Sequence, residues 1–121
     1  MPGTILIVGL VGEFDMAREH ELLDLVMTLS PTDGTAVDAD MSEVTFVDSA
    51  GLHGVVTAKT YLDRHGCELR LLRPRHQRLR LIDLTGFDEI LTVVRAVDDV
   101  ERDERLVAVA PDFAVRVNVA V

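Results

Sequence analysis

Val44-Thr45-Phe46-Val47-Asp48-Ser49-Ala50-Gly51-Leu52 runs from an apolar strand, through an acid and a hydroxyl, into a segment that reads as a helix. Leu52, Val55, Val56 and Leu62 give that segment its helical spacing. Arg64 and His65 fall in its last turn, and Gly66 stands where a left-handed C-cap belongs. A helix start leaves about four backbone N–H groups without intrahelical partners and carries roughly half a positive charge. A serine at that point suits two roles, a plain N-cap and a phosphate acceptor. Strand, serine and helix in this order also place Ser49 at the carboxyl end of a strand, where open α/β sheets hold their working residues.

Outward from this centre, strands and helices alternate. Thr4 to Val11 is a continuous apolar run of strand type, ended by Gly12 and the polar Glu13-Phe14-Asp15. From Met16 to Leu29, Leu22, Leu25, Val26 and Leu29 recur at helical spacing, with Asp15 placed to cap the first turn. Ser30-Pro31-Thr32-Asp33-Gly34 reads as a turn before a short strand, Thr35 to Asp40. Cys67 to Leu72 alternates into another strand closed by Pro74. Leu79, Ile82 and Leu84 predict a third helix stopped by Gly86, and Ile90 to Val94 a last short strand. The pattern is that of an α/β fold: one domain over residues 1–104, with a mixed, mostly parallel sheet and helices packed against it. Residues 105–121 form a β-rich C-terminal extension, two alternating strands around Pro111-Asp112 with Phe113, Val115, Val117, Val119 and Val121 on one side. A lone hairpin is marginal in water, so this extension is expected as edge strands or as a homodimer contact.

Composition bounds the rest. The 121 residues suit a single domain, and with 48% hydrophobic but only 4% aromatic residues the core must be built from Val, Leu, Ile and Ala. The longest apolar stretch, Ile5 to Gly12, falls far short of the ~20 residues of a membrane span, and no basic segment precedes it as in a secretory signal. Cys67 is the sole cysteine, which excludes an internal disulfide and fits a cytoplasmic address; opening an apolar strand, it reads as packing. Charge is uneven: residues 1–50 hold ten carboxylates and one base, Arg18, which accounts for the whole net charge of −9. Between positions 64 and 80, Arg64, Arg70, Arg73, Arg75, Arg78 and Arg80 face only Glu68. No aromatic residue is interleaved with them for base stacking and the chain's pI is about 4.7, so direct nucleic-acid binding is disfavoured against a solvated helix face.

Catalysis finds little support. His53, four residues after Ser49, invites a hydrolase reading, but a nucleophile elbow needs glycine two positions before the serine and Val47 stands there. A histidine at that spacing is also poorly aimed as a general base. His20, His53, His65 and His76 lack the short spacings of zinc sites, and no Gly-rich phosphate loop is present. Neither an enzyme nor a cofactor is expected.

Gly12-Glu13-Phe14-Asp15, the run from Asp40 to Leu52, and Leu84-Thr85-Gly86-Phe87 together, in this order and spacing, resemble the STAS-domain family, and within it the anti-sigma factor antagonists of bacteria. The resemblance spans about residues 4 to 104. It implies a partner-switching protein in transcription regulation. Ser49 would be phosphorylated by an ATP-dependent serine kinase that is also the anti-sigma factor, and a serine phosphatase would restore it. The unphosphorylated form would bind the anti-sigma factor and release a sigma factor. The surface read by the kinase would include Asp15, Asp48, Ala50, Gly51, Leu52 and His53. Family members usually carry a second Ser or Thr where Ala50 stands, so no neighbouring hydroxyl is available here. STAS-like domains also occur as non-switching scaffold subunits and as soluble accessories of membrane transport complexes, the alternative reading.

Overall fold

A computed structural model describes residues 4–72, 74–94, 103–110 and 113–119; of residues 4, 76–79, 88, 103–110 and 113–119 it describes the backbone alone. Two long strands, β1 (Thr4–Phe14) and β2 (Ala36–Val47), form the parallel centre of a six-stranded sheet. β3 (Glu68–Leu72) and β4 (Thr92–Val94) extend it in parallel on one side. On the other side lies an antiparallel hairpin, β5 (Asp103–Ala110) and β6 (Phe113–Val119), giving the order β4-β3-β2-β1-β6-β5. Helices α1 (Glu21–Leu29), α2 (Ser49–Arg64) and α3 (His76–Thr85) supply the crossovers that parallel strands require.

The alternation of the strands decides where the core sits. Leu6, Val8 and Leu10 of β1, Val37, Ala39 and Met41 of β2, and Leu69 and Leu71 of β3 form one buried cluster with Leu22 and Val26 of α1, Leu52, Val55, Ala58 and Leu62 of α2, and Ile82 of α3. Burying each Leu or Val stabilises by about 1.5–3 kcal/mol, so this layer dominates the energetics. The opposite parity carries Ile7, Asp38, Asp40 and Leu72, all buried as well. Asp38 and Arg70 are register partners, and the guanidinium forks onto the carboxylate, Nε to Oδ1 at 2.7 Å and Nη2 to Oδ2 at 2.8 Å. The fork satisfies both oxygens of Asp38, whose side chain is 1% exposed, and the Asp38 bond holds the Arg70 pKa above its ordinary value.

Several boundaries differ from the sequence reading. Gly12 does not end β1: at φ +81° it forms an irregularity through which the strand continues to Phe14. The two predicted strands at 35–40 and 44–47 are one strand, β2, bulged where Gly9 pairs with Asp40 but Val11 with Glu43. Asp40 spans that bulge, its Oδ1 accepting from the Ser42 N–H at 2.9 Å. The helix expected from Met16 begins as a short 3-10 turn, Met16–Arg18, and becomes α-helical only at Glu21. A second 3-10 turn, Phe87–Glu89, shortens the last predicted strand to Thr92–Val94. Arg70 lies on a strand and not on a solvated helix face, and Arg75 Nε donates to the Ser42 carbonyl. The side chains of Arg73 and Arg78, the turn at Pro111-Asp112 and the facing of the valines after it lie outside the described residues. Among the described residues no helix is long and apolar enough to cross a membrane.

Candidate functional site

β1 and β2 leave the sheet side by side. Glu13 pairs with Phe46 and Phe14 with Val47, so the segments that follow, Asp15-Met16 and Asp48-Ser49, emerge from the same edge. Each opens on an aspartate that folds back on its own turn. Asp15 Oδ1 accepts from the Ala17 N–H at 3.0 Å, and Asp48 Oδ1 from the Gly51 N–H at 2.9 Å. Asp15 thus caps the 3-10 turn; α1 starts after His20 with no side-chain cap.

The second bond corrects the plain-cap reading of Ser49. Asp48 is the N-cap of α2, and Ser49 is the first helical residue, exposed, with no hydrogen bond to its hydroxyl among the described residues. The carboxylate wins because it is the stronger acceptor for a helix N–H and adds a favourable charge at the positive end of the macrodipole. The serine oxygen is left with no structural duty.

Gly51 and Gly54 explain how α2 reaches this position. A Cβ on Gly51 would stand 2.0 Å from the Phe14 carbonyl oxygen, and one on Gly54 2.2 Å from that of Glu19. The first two turns of α2 therefore lie directly on the backbone of residues 14–19. Both glycines are buried, so they serve close helix packing and not the approach of another molecule. Leu52, fully buried, is a core residue. Of the six residues expected on a docking surface, Asp15, Asp48, Ala50 and His53 are exposed at least in part, while Gly51 and Leu52 are buried.

His53 is exposed, and its Nδ1 lies 2.8 Å from Glu19 Oε1, tying α2 to the turn before α1. This pairing turns the ring toward Glu19. Arg18, the one base of the first fifty residues, donates to the carbonyls of Val11 and Glu13, bonds Glu21 through Nε at 2.9 Å, and sits 5.5 Å from the Phe14 ring centroid. It clamps the irregular end of β1 on which α2 rests.

Sequence reasoning missed Met16 and Phe46. Met16 is 72% and Phe46 49% exposed. Met16 and Ser49 each stand two residues beyond the paired Phe14 and Val47, and Phe46 adjoins that pair. Register thus brings the segments that carry Ser49, Met16, Phe46 and the two aspartates to one edge of the sheet. Met16 and Phe46 are both apolar residues that type alone would place in the core, and only the structure shows them exposed. No group of three or more His, Cys, Asp or Glu among the described residues is placed to hold a metal.

Residues 2–100 match the family model of the STAS domain, and the chain belongs to that family. No curated protein sequence matches it. Among solved structures, it resembles a sulfate transporter family protein from Wolinella succinogenes at 19% identity and a TM-score of 0.66, over 78% of this chain and 79% of that one. The anti-sigma factor antagonist SpoIIAA in its unphosphorylated form matches at 17% identity and a TM-score of 0.55, over 78% and 83%. The murine solute carrier 26 family member A9 anion transporter matches at 21% and 0.67, over 82% of this chain but 17% of that one. At these identities the likeness is one of fold.

Proposed function

We propose that the protein is an anti-sigma factor antagonist that binds an anti-sigma factor serine kinase while Ser49 is unphosphorylated, and so releases a sigma factor. The observation that carries this reading is an exposed alcohol at the first turn of α2, freed from capping by Asp48. Met16 and Phe46 supply apolar anchors beside it. A hydroxyl can be covered by a partner at small cost. A phosphate brings −1.5 to −2 charges, and burying it without pairing costs several kcal/mol. Among the described residues Asp48 holds only the Gly51 N–H, and the helix start favours a phosphate by about 0.3–1 kcal/mol, so modification should not melt α2. An acidic partner group within ~6 Å would be repelled by about 1 to 5 kcal/mol, a loss of roughly ten- to several-thousandfold in affinity. A serine phosphatase would reset the switch, and kinase, phosphatase and antagonist would meet in the cytoplasm. In this role the chain is a substrate and a ligand, not a catalyst.

The likeness to transporter STAS domains favours a second reading, a non-switching scaffold or transport accessory. Intact mass after incubation with the kinase and ATP separates the two. One added phosphate, lost in Ser49→Ala, is expected for the switch, and no addition for the accessory. Ser49→Ala should bind the kinase without being switched off, and Ser49→Asp should bind it weakly. Equal affinity of both variants would refute the switch.

A further inference from the structure

The outer surface of the helical layer carries a feature that overlaps the switch surface only at His53. His53, Val56, Thr57, Thr60, Tyr61 and Arg64 recur along α2 at intervals of three and four, a single stripe about 16 Å long that starts one turn beyond Ser49 and runs away from it. With Leu23 and Met27 of α1 and His65 at the far end, they line an open groove of about 450 Å³. Leu23, Val56 and Tyr61 are half-buried and Met27 is 48% exposed. The threonines present methyl groups, because Thr57 Oγ1 donates to the His53 carbonyl and Thr60 Oγ1 to the Val56 carbonyl, both at 3.0 Å. Covering them leaves no donor unpaired.

Charge points to the occupant. In a chain of net charge −9, this groove has no carboxylate in its lining and carries the guanidinium of Arg64. Among the described residues Arg64 has no carboxylate within salt-bridge distance. His65 is held in place, stacked on Tyr61 at 4.2 Å with Nδ1 on the Tyr61 carbonyl at 2.8 Å, which leaves Nε2 for an outside partner. A pocket for a small molecule encloses most of its ligand. A trough open along two helices instead suits a third helix laid into it.

We propose that this groove receives an amphipathic helix of another protein, about three turns long, whose aliphatic face covers Leu23, Met27, Val56 and Tyr61 and whose carboxylates meet Arg64. The acidic first half of the chain repels such a helix elsewhere, which confines it to this face. The test uses a fluorescein-labelled synthetic peptide of about fourteen residues, with leucines at helical spacing and glutamates at one end, and a twin with lysines for the glutamates. Anisotropy titrations with the full chain should show saturable binding of the acidic peptide. Met27→Lys and Arg64→Glu, both at exposed positions, should each weaken it about tenfold, and Arg64→Glu should improve the lysine peptide. Ser49→Asp should leave the titration unchanged, which keeps this result separate from that of the switch. No saturable binding at millimolar peptide, or indifference to both groove substitutions, would overturn the proposal. So would concentration-dependent self-association abolished by Met27→Lys, which would assign the groove to a second copy of the chain.

Discussion

Asp48→Ala and Ser49→Ala should move stability in different directions, although they are neighbours at one helix start. Asp48→Ala removes the acceptor that satisfies the Gly51 N–H at 2.9 Å, a loss of about 0.5–2 kcal/mol. It also removes a negative charge from the positive end of α2, worth about 0.3–1 kcal/mol. Ser49→Ala deletes an exposed hydroxyl with no hydrogen bond among the described residues and inserts the better helix former. It should be neutral or stabilise by up to about 0.5 kcal/mol. For a domain of this size about 1 kcal/mol shifts the thermal midpoint by roughly 4 °C. Asp48→Ala should therefore melt roughly 3–12 °C early, and Ser49→Ala within about 2 °C of the parent. Asp48→Asn, which keeps an acceptor and loses the charge, should fall between them. Circular dichroism melts and urea titrations at constant m-value measure the series. A Ser49→Ala midpoint as low as that of Asp48→Ala would make the serine a structural cap, and the argument that its oxygen is spare would fail.

Gly51→Ala should destabilise by about 1–3 kcal/mol in a urea titration, because its Cβ would meet the Phe14 carbonyl at 2.0 Å and the gain in helix propensity cannot offset a backbone clash; an unchanged midpoint would contradict the packing described. Asp38→Ala should cost about 3–5 kcal/mol by stranding Arg70, and Asp38→Val combined with Arg70→Met should regain most of it, a non-additivity read from a double-mutant cycle. Additive losses would mean that the pair is not coupled. Burial, reinforced by the nearby Asp33 charge, pushes the Cys67 thiol above its ordinary 9.0. The native chain therefore keeps this proton longer than the unfolded chain, and the associated stability, full below about pH 9, is lost as pH rises through the folded value. Urea midpoints measured across that range should fall more steeply for the parent than for Cys67→Ala.

Much of the fold was legible because it rests on local patterns. The apolar runs at 4–11 and 67–72, the helical spacing after Leu52 and the stops at Gly66 and Gly86 each report backbone preference directly, and Gly66 and Gly86 do take positive φ. The bulges of β1 and β2 left no such mark. They depend on pairing between strands, and not on the local spacing of apolar residues. Ser49 was found by its position after a strand. Its exemption from capping was not, since Asp48 and Ser49 are both good caps by type and only the backbone at Asp48, extended at φ −116°, selects the acid.

The order of strands and helices, the apolar stripe of each and the identity of the one hydroxyl at the start of α2 were determined by sequence alone, because propensity and periodicity act over a few residues. Tertiary structure decided what no short window contains: the fork of Arg70 on the buried Asp38, the seating of Gly51 and Gly54 on residues 14–19, and the groove between α1 and α2. Each of these joins segments distant in the chain. Such contacts exist only once the sheet has brought those segments together, so their energies depend on the fold as a whole and not on the residues that flank them.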